Sequence, residues 1–156
     1  SIIAQNYGAN NLVRIKETYF TAIKYAFIIM ITAGTLVFLS ASVITSFFSS
    51  DPEVIEYGKR YLKISAFVLP AYPVFFLSNG FFMALKKSEN AMISNFFRNV
   101  LNPIAVFYIA KYINESFETF FWLWVGINWF FSISYFFIII YYFKLKLNKS
   151  SAVVQP

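Results

Sequence analysis

The sequence predicts an all-α membrane protein with about four transmembrane helices, on three observations. Tyr25–Ser50, Ile64–Leu85 and Thr119–Phe143 contain no charged residue, and Asn90–Ala110 contains only Arg98. Each run reaches or exceeds the roughly 20 residues that a helix needs to cross a hydrocarbon core. The chain is 59% hydrophobic and 13% charged, too little charge for the surface of a soluble domain of this length. The basic residues gather in the short segments between the runs, as membrane topology demands. The expected spans are about 25–48, 64–85, 90–110 and 119–143, within one transmembrane unit covering 1–149, followed by a tail at 150–156.

Composition also removes several function classes. With no cysteine and no histidine, the chain has no disulfide framework, thiolate nucleophile, Cys/His zinc site or imidazole base. No pair of carboxylates sits within a span for acid–base work, so no enzymatic activity, cofactor or metal site is expected. The net charge of +6 lies in the loops, which argues for membrane lipid and against nucleic acid as the partner. The first residue is Ser1, and no signal-like segment with a basic start and small-residue cleavage site follows. A piece of a longer protein is therefore expected.

In chain order, Ile2 to Asn11 reads as a short apolar remnant and a polar turn, with Asn10 or Asn11 as helix N-cap. Arg14, Lys16 and Lys24 then flank the first span. Within that span Gly34, Ala41 and Thr45 lie on one face, where another helix can approach closely. In Ser49-Ser50-Asp51-Pro52-Glu53, Ser50 or Asp51 can cap, and proline suits a first turn because its missing N–H has no partner there anyway. Asp51, Glu53 and Glu56 suit the positive end of the helix dipole better than a metal. The connection is short, so the first two spans should form an antiparallel hairpin.

The stretch from Ser78 to Pro103 organises the rest. The second span carries Pro70 and Pro73, which would deprive the carbonyls of Ala66 and Leu69 of their donors and kink the helix twice. Ser65, Tyr72 and Asn79 recur every seven residues, a polar line on one face. In the third span Asn95, Arg98, Asn99 and Asn102 follow three- and four-residue steps and make a second stripe. Pro103 would free the carbonyl of Asn99 beside it. An arginine at membrane depth is costly and faces a partner or a water-filled cavity. Its competing placement is snorkelling, since Arg98 follows Asn90 by about 12 Å of helix. These seven polar residues and three prolines are the candidate lining of a substrate cavity. In the fourth span Trp122, Trp124, Tyr141 and Tyr142 resemble interfacial belts, while Asn128, Ser132 and Tyr135 share a face assigned to packing.

Arg14, Lys16, Lys24, Lys86, Lys87, Lys144, Lys146 and Lys149 fall on one side of this topology; Lys59, Arg60, Lys63 and Lys111 fall on the other. The excess places both ends of the chain in the cytoplasm, in the cytoplasmic (inner) membrane.

The same residues resemble a known family, the multidrug and toxic compound extrusion (MATE) transporters. Ile3-Ala4-Gln5-Asn6-Tyr7-Gly8-Ala9 with Arg14-Ile15-Lys16-Glu17 is similar to the loop after the family's eighth span. Ser50-Asp51-Pro52-Glu53-Val54-Ile55 through Tyr61-Leu62 resembles its ninth-to-tenth connection. Ser78-Asn79-Gly80-Phe81-Phe82, Ala84-Leu85 and Arg98-Asn99-Val100-Leu101 resemble its tenth and eleventh spans. The resemblance implies a partial C-terminal lobe of a twelve-helix, two-lobe transporter that exchanges Na⁺ or H⁺ for amphipathic, often cationic, drug-like compounds. The upstream transmembrane helices of the same protein are then partners. The second span lacks the acidic residue that some branches carry, so the coupling ion would be bound outside this fragment. The related lipid-linked sugar flippases share the broader fold. A structural four-helix membrane subunit is the reading from a different class.

Overall fold

The computed structural model describes residues 1–113 and 116–152, with side-chain surroundings through Lys146. Asn114 and Glu115 of the expected acidic connection lie outside the described residues, as do 153–156 of the tail and the side chain of Lys149. The expected all-α class holds. The order is α1 (Ile2–Gly8), α2 (Leu12–Phe48), α3 (Pro52–Ala66), α4 (Ala71–Ala84), α5 (Ser88–Phe96), a π turn (Phe97–Leu101), α6 (Asn102–Ile113) and α7 (Phe117–Ala152).

The helix starts follow the capping chemistry. Asn11 caps α2, its Oδ1 accepting from the Arg14 N–H at 3.0 Å. Asp51 caps α3 by accepting from the Glu53 N–H at 2.9 Å, with Pro52 in the first turn. Residues 2–8, read as a short apolar remnant leading into a polar turn, are helical, because Ile3 and Tyr7 have the apolar core to pack on. The first span's helix begins well before Tyr25, and α7 runs on through Ala152, past the start of the expected tail.

Two helices, Leu12–Phe48 and the Phe117–Lys146 part of α7, are long and apolar enough to cross a membrane unaided. The second expected span is bent: α3 and α4 are long and apolar enough only together, and they meet at 52° across Phe67–Pro70, the geometry of a broken span or a re-entrant loop. It has one bend, not two kinks. Pro70 occupies the N-cap of α4 and Pro73 falls in its first turn, where backbone N–H groups have no intrahelical acceptor and none is missed. The third run is continuous from Ser88 to Ile113 but interrupted by the π turn.

α2 and α3 pack antiparallel, Gly34 facing Ala66 and Thr45 facing Gly58. One apolar cluster joins Ile15 and Tyr19 of α2, Phe81 of α4, Leu85 at its C-cap and Phe143 of α7. It therefore gathers the Leu12 end of α2, the Lys86 turn and the far end of α7 at one end of the bundle, where Lys87 lies 5.1 Å over the Tyr142 ring. A smaller cluster of Ile64, Val68 and Val125 lies toward the other end. Leu36, Leu39, Val43, Phe47, Phe130 and Phe137 are exposed, an apolar exterior that a bilayer stabilises and water does not.

Candidate functional site

The break between α3 and α4 leaves the Phe67 carbonyl outside both helices, and α7 supplies its donor and a further bond to the first turn of α4. Trp129 Nε1 donates to the Phe67 carbonyl at 2.9 Å, and Ser132 Oγ to that of Ala71 at 2.8 Å. Irregular backbone survives at membrane depth when neighbouring helices satisfy it in this way. Beside the break lies an apolar cleft of about 350 Å³, lined by Gly34, Phe38, Phe67, Pro70 and Trp129. A separate polar centre draws on α4, the third run and α7.

That centre begins at Ser78 and Asn79, both buried. Ser78 Oγ and the Tyr19 hydroxyl are 2.7 Å apart in a hydrogen bond. Asn79 Nδ2 donates to the Phe75 carbonyl at 3.0 Å, so its Oδ1 is turned to accept from Ser94 Oγ at 3.0 Å and Asn95 Nδ2 at 3.3 Å. These bonds tie α4 to α5. Further along, Arg98 Nε donates to Asn128 Oδ1 at 3.1 Å, and Asn128 Nδ2 donates to the Trp124 carbonyl at 2.8 Å. The second bond orients the amide so that its oxygen meets the arginine.

Arg98 is 8% exposed. Its guanidinium lies 4.3 Å from the centroid of Phe75, 4.9 Å from Tyr72 and 5.1 Å from Phe76. Three aromatic rings and an amide oxygen surround the arginine head. Among the described residues no carboxylate pairs with it.

The two expected stripes are each divided. Ser65 belongs to α3 and is half-buried, whereas Tyr72 and Asn79 belong to α4. A seven-residue period puts residues on one face only along an unbroken helix, and the 52° break ends that face. In the third run Arg98 and Asn102 are buried and Asn95 half-buried, but Asn99 is exposed. Pro103 cannot donate, and the Asn102 N–H reaches back to the Phe97 carbonyl, five residues away. This π turn displaces the helical register that the stripe assumed. Asn102 is 2% exposed, and neither its Nδ2 nor its Oδ1 has a hydrogen-bond partner among the described residues.

Ser78, Ser94, Asn128 and Tyr19 complete the centre, Trp129 holds the break, and none of the five was among the sequence candidates. Ser94, Arg98 and Asn102 step by four residues, and that spacing traces the buried face better than one that includes Asn99. Asn128 carried a signal, its shared face with Ser132 and Tyr135, and all three are buried. Trp129 carried none, since any of the aromatic residues in the fourth span would have served equally by its position in the chain.

The MatE family model matches residues 1–108, from α1 through the π turn into α6. No curated protein matches the chain. The match takes in 108 of the 156 residues, including the broken span, Asn79 and Arg98. The chain belongs to the MatE (multidrug and toxic compound extrusion) family of membrane transporters.

Proposed function

We propose that the chain is part of a cation-coupled antiporter, driven by Na⁺ or H⁺, that exports amphipathic, often cationic, compounds. The observation that carries this reading is the break between α3 and α4: the Phe67 carbonyl within it accepts from Trp129 of α7, and Ser132 of α7 bonds the Ala71 carbonyl where α4 begins. A span whose backbone is satisfied across a helix boundary can change partners and tilt without leaving polar groups unpaired. Tyr72 and Asn79 on one side, and Asn95, Arg98 and Asn102 on the other, then border the transport path. Asn99 points to a surface left open to the rest of the protein. The ion-coupling carboxylate belongs to helices outside this chain, because the three uncharged runs offer none and the 90–110 run offers only Arg98.

The test is dye transport by the full-length protein in liposomes. Ethidium should move only against an opposing Na⁺ or H⁺ gradient and stop when an ionophore collapses it. Gradient-independent behaviour, or translocation of a lipid-linked sugar in its place, would overturn the antiporter reading.

Both ends of the chain lie in the cytoplasm in this reading, which rests on the basic residues gathered beside the Lys86 turn. Ser88→Cys should react with a membrane-impermeant thiol reagent only after the cell membrane is opened, and Ser116→Cys should react in intact cells. The reverse pattern inverts the orientation.

A further inference from the structure

We infer that Arg98 and Asn102 form a binding site for an oxyanion, a carboxylate above all, in the interior of this helix group. The rings of Phe75, Tyr72 and Phe76 lie 4.3, 4.9 and 5.1 Å from the Arg98 guanidinium carbon, where cation–π attraction acts. The guanidinium carries five N–H groups in a planar fork. One of them, on Nε, is used by Asn128. Among the described residues the two Nη groups meet no carboxylate, so the donor edge of a buried cation is left for a further acceptor. A lone charge at this depth is costly, and an anion is what relieves it.

Asn102 points the same way by a separate observation. It lies one turn beyond Arg98 on the same buried side, and both polar atoms of its side chain are buried without a partner among the described residues. A buried amide of this kind is rare in folded proteins and calls for something that it meets. Its Nδ2 would add a donor beside the guanidinium fork.

The site's chemistry selects the ligand. A carboxylate is planar and singly charged and matches an arginine fork with two parallel hydrogen bonds. A phosphate dianion would lose more hydration against Tyr72, Phe75 and Phe76 than one arginine returns, and a cation is repelled until a carboxylate has paired with Arg98. Phe76 is 57% exposed, so the outer wall of the arginine's ring cover is a side chain free to move. A small aromatic acid, or the acidic end of a zwitterionic compound, could enter beside it. An Asp or Glu side chain from a segment outside this chain carries the same group. The site rests on the depth of Arg98 and not on the direction or energy source of transport.

The experiment is equilibrium binding of radiolabelled benzoate to the full-length protein in detergent, with benzylamine as competitor and no ion gradient. Saturable benzoate binding is expected, untouched by benzylamine and weaker by about tenfold or more in Arg98→Gln, the loss typical of a charge-assisted bond. Arg98→Lys keeps the charge without the fork and should retain weaker binding. Asn102→Leu replaces an unpaired amide by an apolar group of similar shape. It should weaken benzoate binding while leaving thermal stability equal or higher, which separates loss of a ligand contact from misfolding. If a side chain supplies the carboxylate, the wild type binds no benzoate. One Asp→Asn or Glu→Gln change outside this chain then creates Arg98-dependent binding. The proposal is overturned if benzoate binds neither the wild type nor any such variant, or if Arg98→Gln leaves its binding unchanged.

Discussion

Arg98→Ala lowers energy-dependent efflux per copy of the full-length protein by about tenfold or more, while protein abundance falls less. The size follows from removing the charge-assisted bond to Asn128 and the cover of three aromatic rings at once, each worth on the order of 1 kcal/mol or more at a buried site. The truncation also leaves Asn128 Oδ1 facing an apolar gap, although its Nδ2 keeps the Trp124 carbonyl. Abundance is buffered, because α4 stays tied to α5 through Asn79, Ser94 and Asn95, and to α7 through Ser132. Arg98→Lys should recover part of the efflux. Its ammonium restores the charge over the rings but lacks the planar fork that meets an amide oxygen beside Phe75. Asn79→Ala should lower efflux by a smaller factor, since Ser94 and Asn95 each keep a second acceptor in the Ala91 carbonyl. Asn99→Ala, at an exposed position, should change it least. The measurement is dye efflux normalised to protein quantity. Wild-type efflux in Arg98→Ala, Arg98→Lys and Asn79→Ala would mean that the polar centre only glues helices together.

Gly34→Ala destabilises the protein by about 1–3 kcal/mol, the range for overpacking a close contact. A Cβ at Gly34 would sit 2.8 Å from the Ala66 carbonyl oxygen. That atom is backbone, and Ala66 is the last residue of α3 before the break. Relief therefore requires α2 and α3 to separate, or the bend itself to shift. Gly58 supplies the control. A Cβ there would meet Thr45 Cγ2 at 2.7 Å, as close an approach, but to the end of a side chain. Thr45 can rotate at the cost of its own hydrogen bond to the Ala41 carbonyl. Thermal unfolding of the full-length protein in detergent should show Gly34→Ala shifted down by several degrees more than Gly58→Ala, at about 2–4 °C per kcal/mol for a protein domain of this size. Equal shifts for the two variants would show that the close approach at the break does not hold the bend.

Much of this molecule was legible because membrane burial is a one-dimensional constraint. A run without charge long enough to cross a bilayer announces itself in the chain, and so do the residues that end it. Asn11 and Asp51 cap the helices they precede because capping needs only an acceptor within two or three residues of a free N–H. Gly34 and Ala41 lie at the α2–α3 contact because small residues at helical spacing leave one place where backbones can touch. The family resemblance rests on ordered local motifs, and the MatE match covers the same region.

The polar centre was decided by tertiary structure. Local periodicity placed Ser65, Tyr72 and Asn79 on one face, but Phe67–Pro70 interrupts the helix between them. Whether such a break is tolerated depends on donors from elsewhere, here Trp129 on the Phe67 carbonyl, distant in sequence. The four-residue stripe in the third run likewise assumed an α register, and the π turn before Pro103 moved Asn99 outside while Arg98 and Asn102 turned inward. The arginine's surroundings, Asn128 with Tyr72, Phe75 and Phe76, join three runs of the chain. The sequence alone thus determined that the chain is a bundle of membrane helices with one costly charge inside it. The fold decided what surrounds that charge, because desolvation is a property of every neighbour in space and only capping, turns and spans are properties of neighbours in the chain.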